Sequence, residues 1–337
     1  MSQIYNLIGN TPMIKIVYEY KGKKGNIYTK LESYNLTGSI KDRVAYGIIK
    51  KALDTKVLKE KMPIIEATSG NTGISLAAIG AYYKHKVYIF MPDWASKERK
   101  QLIESFGANI KLISKNEGGF LTCIEEAKKL SKEINGFLAN QFENEENIKA
   151  HYETTAEEIK NSLNKVNCNI GGFISGVGTG GTIIGIGKKL KENFKNIKVV
   201  AIEPEKMPLI TGGKIIGTHK IEGIGDEFIP KLFDKNLIDG TILINDDDAI
   251  NMSRKIAKDL GLGCGISSGA NFIGSVILSS KIEKDIVTVF PDDNKKYLST
   301  DLAKKDDNNI NFISNNIKLI GYEYIEGSKE SLNWQKW

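Results

Sequence analysis

The segment GFISGVGTGGTIIGIGKKL, residues 172–190, places seven glycines within nineteen residues. Glycine takes left-handed backbone freely and lets the main chain approach a ligand closely, so this text reads as a strand, a tight turn and a helix. The first N–H groups of such a helix lack internal partners and attract anions. Gly176, Gly178 and Gly181 satisfy G-x-G-x-x-G, and Glu203 stands 22 residues beyond Gly181, at the end of the next candidate strand. That is the dinucleotide fingerprint, in which the acid receives a ribose. The Thr179 and Thr182 hydroxyls beside consecutive backbone amides serve one phosphate monoester equally well. A Walker A loop is excluded, because Thr182 and not lysine follows Gly181.

Around this segment, short β-branched runs alternate with stretches of helical periodicity, which predicts an α/β chain with mostly parallel sheets covered by helices. Candidate strands are 63–67, 86–91, 109–113, 172–175, 199–203 and 286–290; candidate helices are 40–53, 71–83, 96–106, 120–134, 151–163 and 249–260. A second strand-to-helix turn, EATSGNTG at 66–73, gathers hydroxyls, an amide and helix N-terminal N–H groups around one point, a nest suited to a carboxylate. Two such turns point to two sheets sharing one ligand. The tail from about residue 301 is polar, then turns β-like at 317–325, and reads as an appendage to the core.

Composition narrows the function classes. The 337 residues suit two domains, and a formal charge of +6 comes from 47 basic and 41 acidic residues. Only Arg43, Arg99 and Arg254 are arginines, the lysines are dispersed, and neither feature favours nucleic acid. Cys123, Cys168 and Cys264 stand far apart with no C-x-x-C pair, and His85, His151 and His219 lack metal spacing, so disulfides and a metal site are not expected. No run approaches the roughly 20 apolar residues a membrane span needs, and the N-terminal text lacks a signal-peptide pattern. A cytoplasmic enzyme is the expectation.

Lys41, in LESYNLTGSIKDR, opens a candidate helix after a Thr-Gly-Ser turn. Beside a phosphate cradle, it becomes a candidate Schiff-base lysine. The stretches IGNTPMIKI, SIKDR, EATSGNTG, MPDWASKERKQLIESFGA, NQFENEENIKAHYETTAEEI, GVGTGGT, EGIGDEFIP and GISSGA, in that order from residue 8 to about 300, resemble the cysteine synthase and cystathionine β-synthase family of pyridoxal 5'-phosphate (PLP) enzymes, fold type II. The resemblance implies two three-layer α/β/α domains with PLP in the cleft between them. The smaller would span 43–147, the larger 1–42 with 148–305, and a tail 306–337.

It also implies roles. Lys41 forms the internal aldimine and moves the α-proton. Asn71 meets the ring hydroxyl, while Thr68, Ser69, Asn71 and Thr72 with Gln141 hold the substrate carboxylate. Gly178, Thr179, Gly180, Gly181 and Thr182 hold the phosphate, and Ser267 faces the pyridine nitrogen. A serine holds that nitrogen protonated less firmly than an aspartate, which makes the cofactor a weaker electron sink. β-Replacement or β-elimination on a serine or cysteine derivative, through an aminoacrylate, is then favoured over transamination or racemisation. The family implies a homodimer. Its haem extension and paired regulatory modules are not expected here.

One motif departs from the family. After G-I-G, cysteine-forming members carry a small residue and cystathionine β-synthases a tyrosine, whereas this chain has Asp226 and Glu227. An acid at the pocket mouth repels sulfide anion and can activate water as general base. The expectation is that L-cysteine plus water gives L-serine and hydrogen sulfide, with Asp226 as base. Its alternatives are lanthionine formation from two cysteines, cysteine synthesis from O-acetylserine and sulfide, and, remotely, an NAD-dependent dehydrogenase. Glu117–Phe120 reads as a lid or a plain turn, and Asp246–Asp248 as a helix N-terminus.

Overall fold

A computed structural model describes residues 3–166, 168, 170–304 and 311–326. In chain order the principal elements begin with a hairpin, β1 (Met13–Tyr20) and β2 (Lys23–Leu31), followed by α1 (Lys41–Asp54), β3 (Ile64–Ala67), α2 (Asn71–Tyr82), β4 (Val87–Pro92), α3 (Lys97–Ser105), β5 (Asn109–Ile113), α4 (Gly119–Glu133) and β6 (Phe137–Leu138). Next come α5 (Glu146–Ala150), a π-helical turn (His151–Thr155), α6 (Ala156–Val166), β7 (Ile170–Gly176), α7 (Gly181–Asn193), β8 (Lys198–Pro204) and β9 (Gly240–Ile244). The chain then forms α8 (Asp246–Leu260), α9 (Ile266–Ile282), β10 (Asp285–Phe290) and β11 (Ile317–Glu326).

Two sheets result. A four-stranded parallel sheet has the order β5-β4-β3-β6, and a seven-stranded mixed sheet has the order β11-β1-β2-β10-β7-β8-β9. The period-two alternation of side chains along each strand explains why both are sandwiched. In the small sheet, Ile64, Val87 and Ile89 face α1, α2 and α3, while Ile65, Ala67 and Phe90 face Phe120, Cys123 and Ala127 of α4. In the large sheet, Ile174, Val200, Ile202 and Ile286 pack on α8 and α9, while Phe173, Val199, Ala201 and Val287 pack on α6 and α7. Each such side chain is buried, and each Ile, Val and Phe among them contributes about 1.5–3 kcal/mol for leaving water. The structure thus has the two layered α/β units implied by the resemblance.

The six candidate strands and six candidate helices all appear, with ends shifted by a few residues. The expected helix at 151–163 begins on the π-helical turn, where one extra residue per turn re-aims His151 and Thr155 inward. Residues 317–325 are not an appendage. As β11 they pair antiparallel with β1 along its whole length, from Met13 opposite Glu326 to Tyr20 opposite Ile317, and form an edge of the large sheet. Asp246–Asp248 do form the first turn of α8, whose Asn245 cap accepts from the Asp247 and Asp248 backbone N–H groups. Glu117 closes a capping box with Ser114, and Phe120 is buried edge-to-face on Phe142. Among the described residues, no helix is long and apolar enough to cross a membrane.

Candidate active site

The turn before α1 is fixed from several sides before Lys41 is reached. Asp42 accepts from the Thr37 backbone N–H (2.7 Å) and hydroxyl (2.6 Å), Gly38 takes a left-handed φ of 81°, and the Ile40 N–H donates to the Pro291 carbonyl at 2.8 Å. One turn on, the buried Arg43 guanidinium pairs with Glu32 (2.7 Å) and Glu158 (2.6 Å), anchoring α1 to the large sheet and α6. Removing one partner of such a pair strands a buried charge, which is strongly destabilising, so the start of α1 is held firmly. Lys41 therefore projects its Nζ from a rigid base into a cleft between the two sheets. Its Nζ makes no hydrogen bond or ion pair among the described residues, and burial lowers its pKa to about 8 against the opposing pull of Asp226 and Asp292. A lysine near neutrality in its free form is a competent amine nucleophile.

On the small-sheet side, the loop after β3 brings Thr68, Ser69, Asn71 and Thr72 to the same cavity. Gly70 has φ 156°, and a Cβ there would stand 2.2 Å from the Arg99 side chain, so only glycine fits. Gln141 braces this loop, donating from Nε2 to the Ala67 carbonyl (2.9 Å) and accepting at Oε1 from the Thr72 hydroxyl (2.5 Å). Glu66 accepts from the Ala67 and Gln141 backbone N–H groups, and burial pushes its pKa up to about 7. The Thr72 hydroxyl hydrogen is thus spent on Gln141. Donors left for a carboxylate are the backbone N–H groups at the start of α2, the Thr68 and Ser69 hydroxyls and the second Nε2 hydrogen of Gln141.

On the large-sheet side, the turn from β7 to α7 lines the cavity with Gly178, Thr179, Gly180 and Thr182, and Ser267 enters it from the first turn of α9. Gly181 lies beneath, where a Cβ would meet Asn147 Oδ1 at 1.9 Å; Asn147 is itself held on Thr179 Oγ1 and the Gln141 carbonyl, both at 2.8 Å. A Cβ on Gly178 would meet the Gly223 carbonyl at 2.4 Å. The N-terminus of α7 carries no side-chain cap. Open N–H groups, two hydroxyls and a facing buried lysine fit a phosphate-bearing aldehyde such as PLP. Gly181→Ala is expected to weaken PLP binding by about tenfold or more, since Asn147 must give up its bonds, and equilibrium dialysis measures it.

Glu203 does not serve a ribose. Its carboxylate is buried and consumed by the Ile210 N–H (2.8 Å), the Thr211 N–H (3.0 Å) and the Thr211 hydroxyl (2.8 Å), which removes the dinucleotide alternative. The loop after it returns to the mouth of the cavity. There Gly223 and Gly225 take left-handed φ of 91° and 70°, and Asp226 faces the same cavity as Lys41. Glu227 is exposed and reaches only the outer vestibule. Burial raises the pKa of Asp226 to about 6, Lys41 pulls it down, and Glu227 adds to the rise.

Sequence reasoning missed two residues here. Arg99 is buried on the roof of the cavity, stacks on the Tyr297 ring at 4.6 Å and forms an ion pair with Glu222. His151, kept neutral by burial, meets Thr182 Oγ1 at 3.2 Å. Both lie within motifs already noted, MPDWASKERK and NIKAHYETT, but their partners lie far along the chain.

A cleft between two α/β units, with a lysine at its base and a phosphate-sized glycine turn opposite, defines a pyridoxal-phosphate enzyme. The family model described as "Pyridoxal-phosphate dependent enzyme" matches residues 4–292. Cysteine synthase B of Campylobacter jejuni is 42% identical over 302 residues, 89% of this chain and 98% of that one. A hydrogen sulfide-producing enzyme of Fusobacterium nucleatum is 51% identical with a TM-score of 0.91, over 96% of this chain and 98% of that one. An aspartate-to-asparagine variant of that enzyme has been solved with an α-aminoacrylate intermediate. Cysteine synthase of Entamoeba histolytica is 39% identical with a TM-score of 0.82, over 94% of this chain and 95% of that one. The chain belongs to the cysteine synthase family of PLP-dependent enzymes, and β-replacement on an amino acid is its class of reaction.

Proposed function

We propose that this enzyme converts L-cysteine and water to L-serine and hydrogen sulfide. The observation that carries the reading is that Asp226, and not Glu227, shares the cavity with Lys41. Bound in the cleft, PLP supplies an electron sink that acidifies the substrate α-carbon and lets the β-sulfur depart. The residues of the chain then divide the work. The nest at the start of α2 binds the substrate carboxylate, and Lys41 Nζ takes the α-proton and later returns it. A carboxylate with a pKa of about 6 is ionised at neutral pH yet still basic enough to accept a proton from water. The sulfur departs as hydrosulfide with its own thiol proton, and the water oxygen then bonds to the β-carbon in its place. The proton that Asp226 takes from water passes on to hydrosulfide, completing hydrogen sulfide and restoring the carboxylate. A negative charge at this point opposes entry of hydrosulfide anion but not of water.

The names of relatives favour a second reading, cysteine formation from O-acetylserine and sulfide. Product analysis separates them. Holoenzyme given L-cysteine alone is expected to yield serine and sulfide in equal amounts. Fast cysteine formation from O-acetylserine and sulfide, with no serine from cysteine, would sink the first reading; lanthionine would identify a second cysteine as the nucleophile.

A further inference from the structure

Behind the cofactor side of the cleft, Asn71 is gripped at both ends of its amide. Its Nδ2 donates to Asp292 Oδ2 at 2.7 Å, and its Oδ1 accepts from Lys296 Nζ at 3.1 Å. Both partners are buried, with 1% and 3% of their surface exposed. Each is fixed in turn. Asp292 Oδ2 also accepts from the Tyr297 hydroxyl at 2.7 Å, which accepts from Arg99 Nη2 at 2.7 Å. Lys296 Nζ also donates to the Gly38 carbonyl at 3.0 Å, in the turn that presents Lys41. Gly265 makes room for the carboxylate, since a Cβ there would stand 2.0 Å from Asp292 Oδ1.

Hydrogen-bonding valence then decides which way the amide faces. A carboxylate only accepts and an ammonium only donates, so the oxygen of Asn71 is committed to Lys296 and its nitrogen to Asp292. Rotating the amide by half a turn would set two donors together at Lys296 and two acceptors together at Asp292. One Nδ2 hydrogen remains, and Asn71 lines the cavity. The side chain can therefore offer a bound ring its remaining Nδ2 hydrogen, while its oxygen is turned to Lys296. A donor stabilises an oxygen anion over the hydroxyl form. We propose that Asp292 and Lys296 are positioning residues that lock the Asn71 amide with its donor toward the cofactor ring oxygen, and so keep that oxygen ionised. This rests on the reading that Asn71 meets the ring oxygen.

Visible absorption of the purified holoenzyme tests it without turnover, because the ionised ring oxygen absorbs at longer wavelength than the neutral one. Asp292→Asn and Lys296→Met each free the amide to turn, and are expected to move the band ratio toward the shorter wavelength and to weaken PLP binding about tenfold. Lys296→Met approaches the amide from its other end and keeps the test available should Asp292→Asn fold poorly. A merely structural role lowers melting temperature and leaves the band ratio alone, and that result would overturn the proposal. Asn71→Ser is the reference. If it shifts the bands while both positioning variants match the parent, the locking idea fails and the ring contact stands. If Asn71→Ser also leaves the bands unchanged, the ring contact itself fails.

Discussion

Replacing Lys41 by alanine is expected to cut turnover of L-cysteine by roughly 10³-fold or more and to abolish the visible absorbance of the lysine-bound cofactor. The expectation follows from the isolation of its Nζ. Among the described residues, nothing else in the cleft offers a free amine: Lys296 points at Asn71 and Gly38, and the Arg99 guanidinium is engaged by Glu222 and Tyr297. The fold should survive, because no hydrogen bond or ion pair of Nζ is lost. The folded state lowers the pKa of Lys41 from 10.5 to about 8, so it disfavours the charged form. That penalty is fully present below about pH 8 and is relieved as pH rises toward 10.5. At pH 7 the apo variant should melt no lower than the parent, with the stranded Asp226 charge offsetting part of the gain. A melting temperature well below the parent would show a structural role for Lys41, and retained turnover would end the assignment outright.

Asp226→Asn is expected to lower serine and sulfide formation from L-cysteine by about 10²–10⁴-fold while leaving the bound cofactor and its spectrum in place. Asp226 makes no hydrogen bond among the described residues, so an isosteric amide disturbs nothing but charge and basicity. Cysteine formation from O-acetylserine and sulfide should hold or rise, because the repulsion of hydrosulfide is gone. The pH profile adds a second readout. The parent rate should climb as pH rises through about 6, where Asp226 ionises. Glu227→Gln removes one of the causes of that raised pKa, so the climb should move to lower pH. Unaltered sulfide and serine release in Asp226→Asn, or a parent rate that does not climb as pH rises through about 6, would disprove the base assignment.

Much of the fold is legible in the text because parallel strands buried on both faces are near-continuous apolar runs, broken only by Glu66 at 64–67 and by Thr288 at 286–290. α9 escaped for the opposite reason. Its buried residues lie all around the helix, from Ile266 through Phe272 and Ile273 to Val276, interspersed with Gly269, Gly274 and Ser275, so no polar face marks its period. β1 carries an alternation of buried and partly exposed residues in MIKIVYEY, of which only MIKI falls within the motif IGNTPMIKI. In the site, Lys41, Asn71, Thr68, Ser69, Thr72, Gln141, Gly178, Thr179, Gly180, Thr182, Asp226 and Ser267 all converge on one cavity. Their hydroxyl, amide and glycine chemistry is local and shows in short motifs. The supporting network does not. Asn71 and Asp292 are 221 residues apart, Arg99 and Tyr297 are 198 apart, and such pairings leave no periodic trace. The only hint was the cluster of Asp292, Asp293, Lys295 and Lys296 after a buried strand, where charge had no evident reason to gather.

The pairing of β1 with β11 also sets an order of assembly. The four strands of the small sheet lie between residues 64 and 138, so that sheet can complete while synthesis continues. The large sheet begins at Met13 and gains its last edge only when 317–326 has left the ribosome, which gives it a high contact order. Lys41, whose turn leans on Pro291 and the Lys296 segment, therefore reaches its working position only once residues 291–296 have emerged, by which time the small sheet beside it can already have formed.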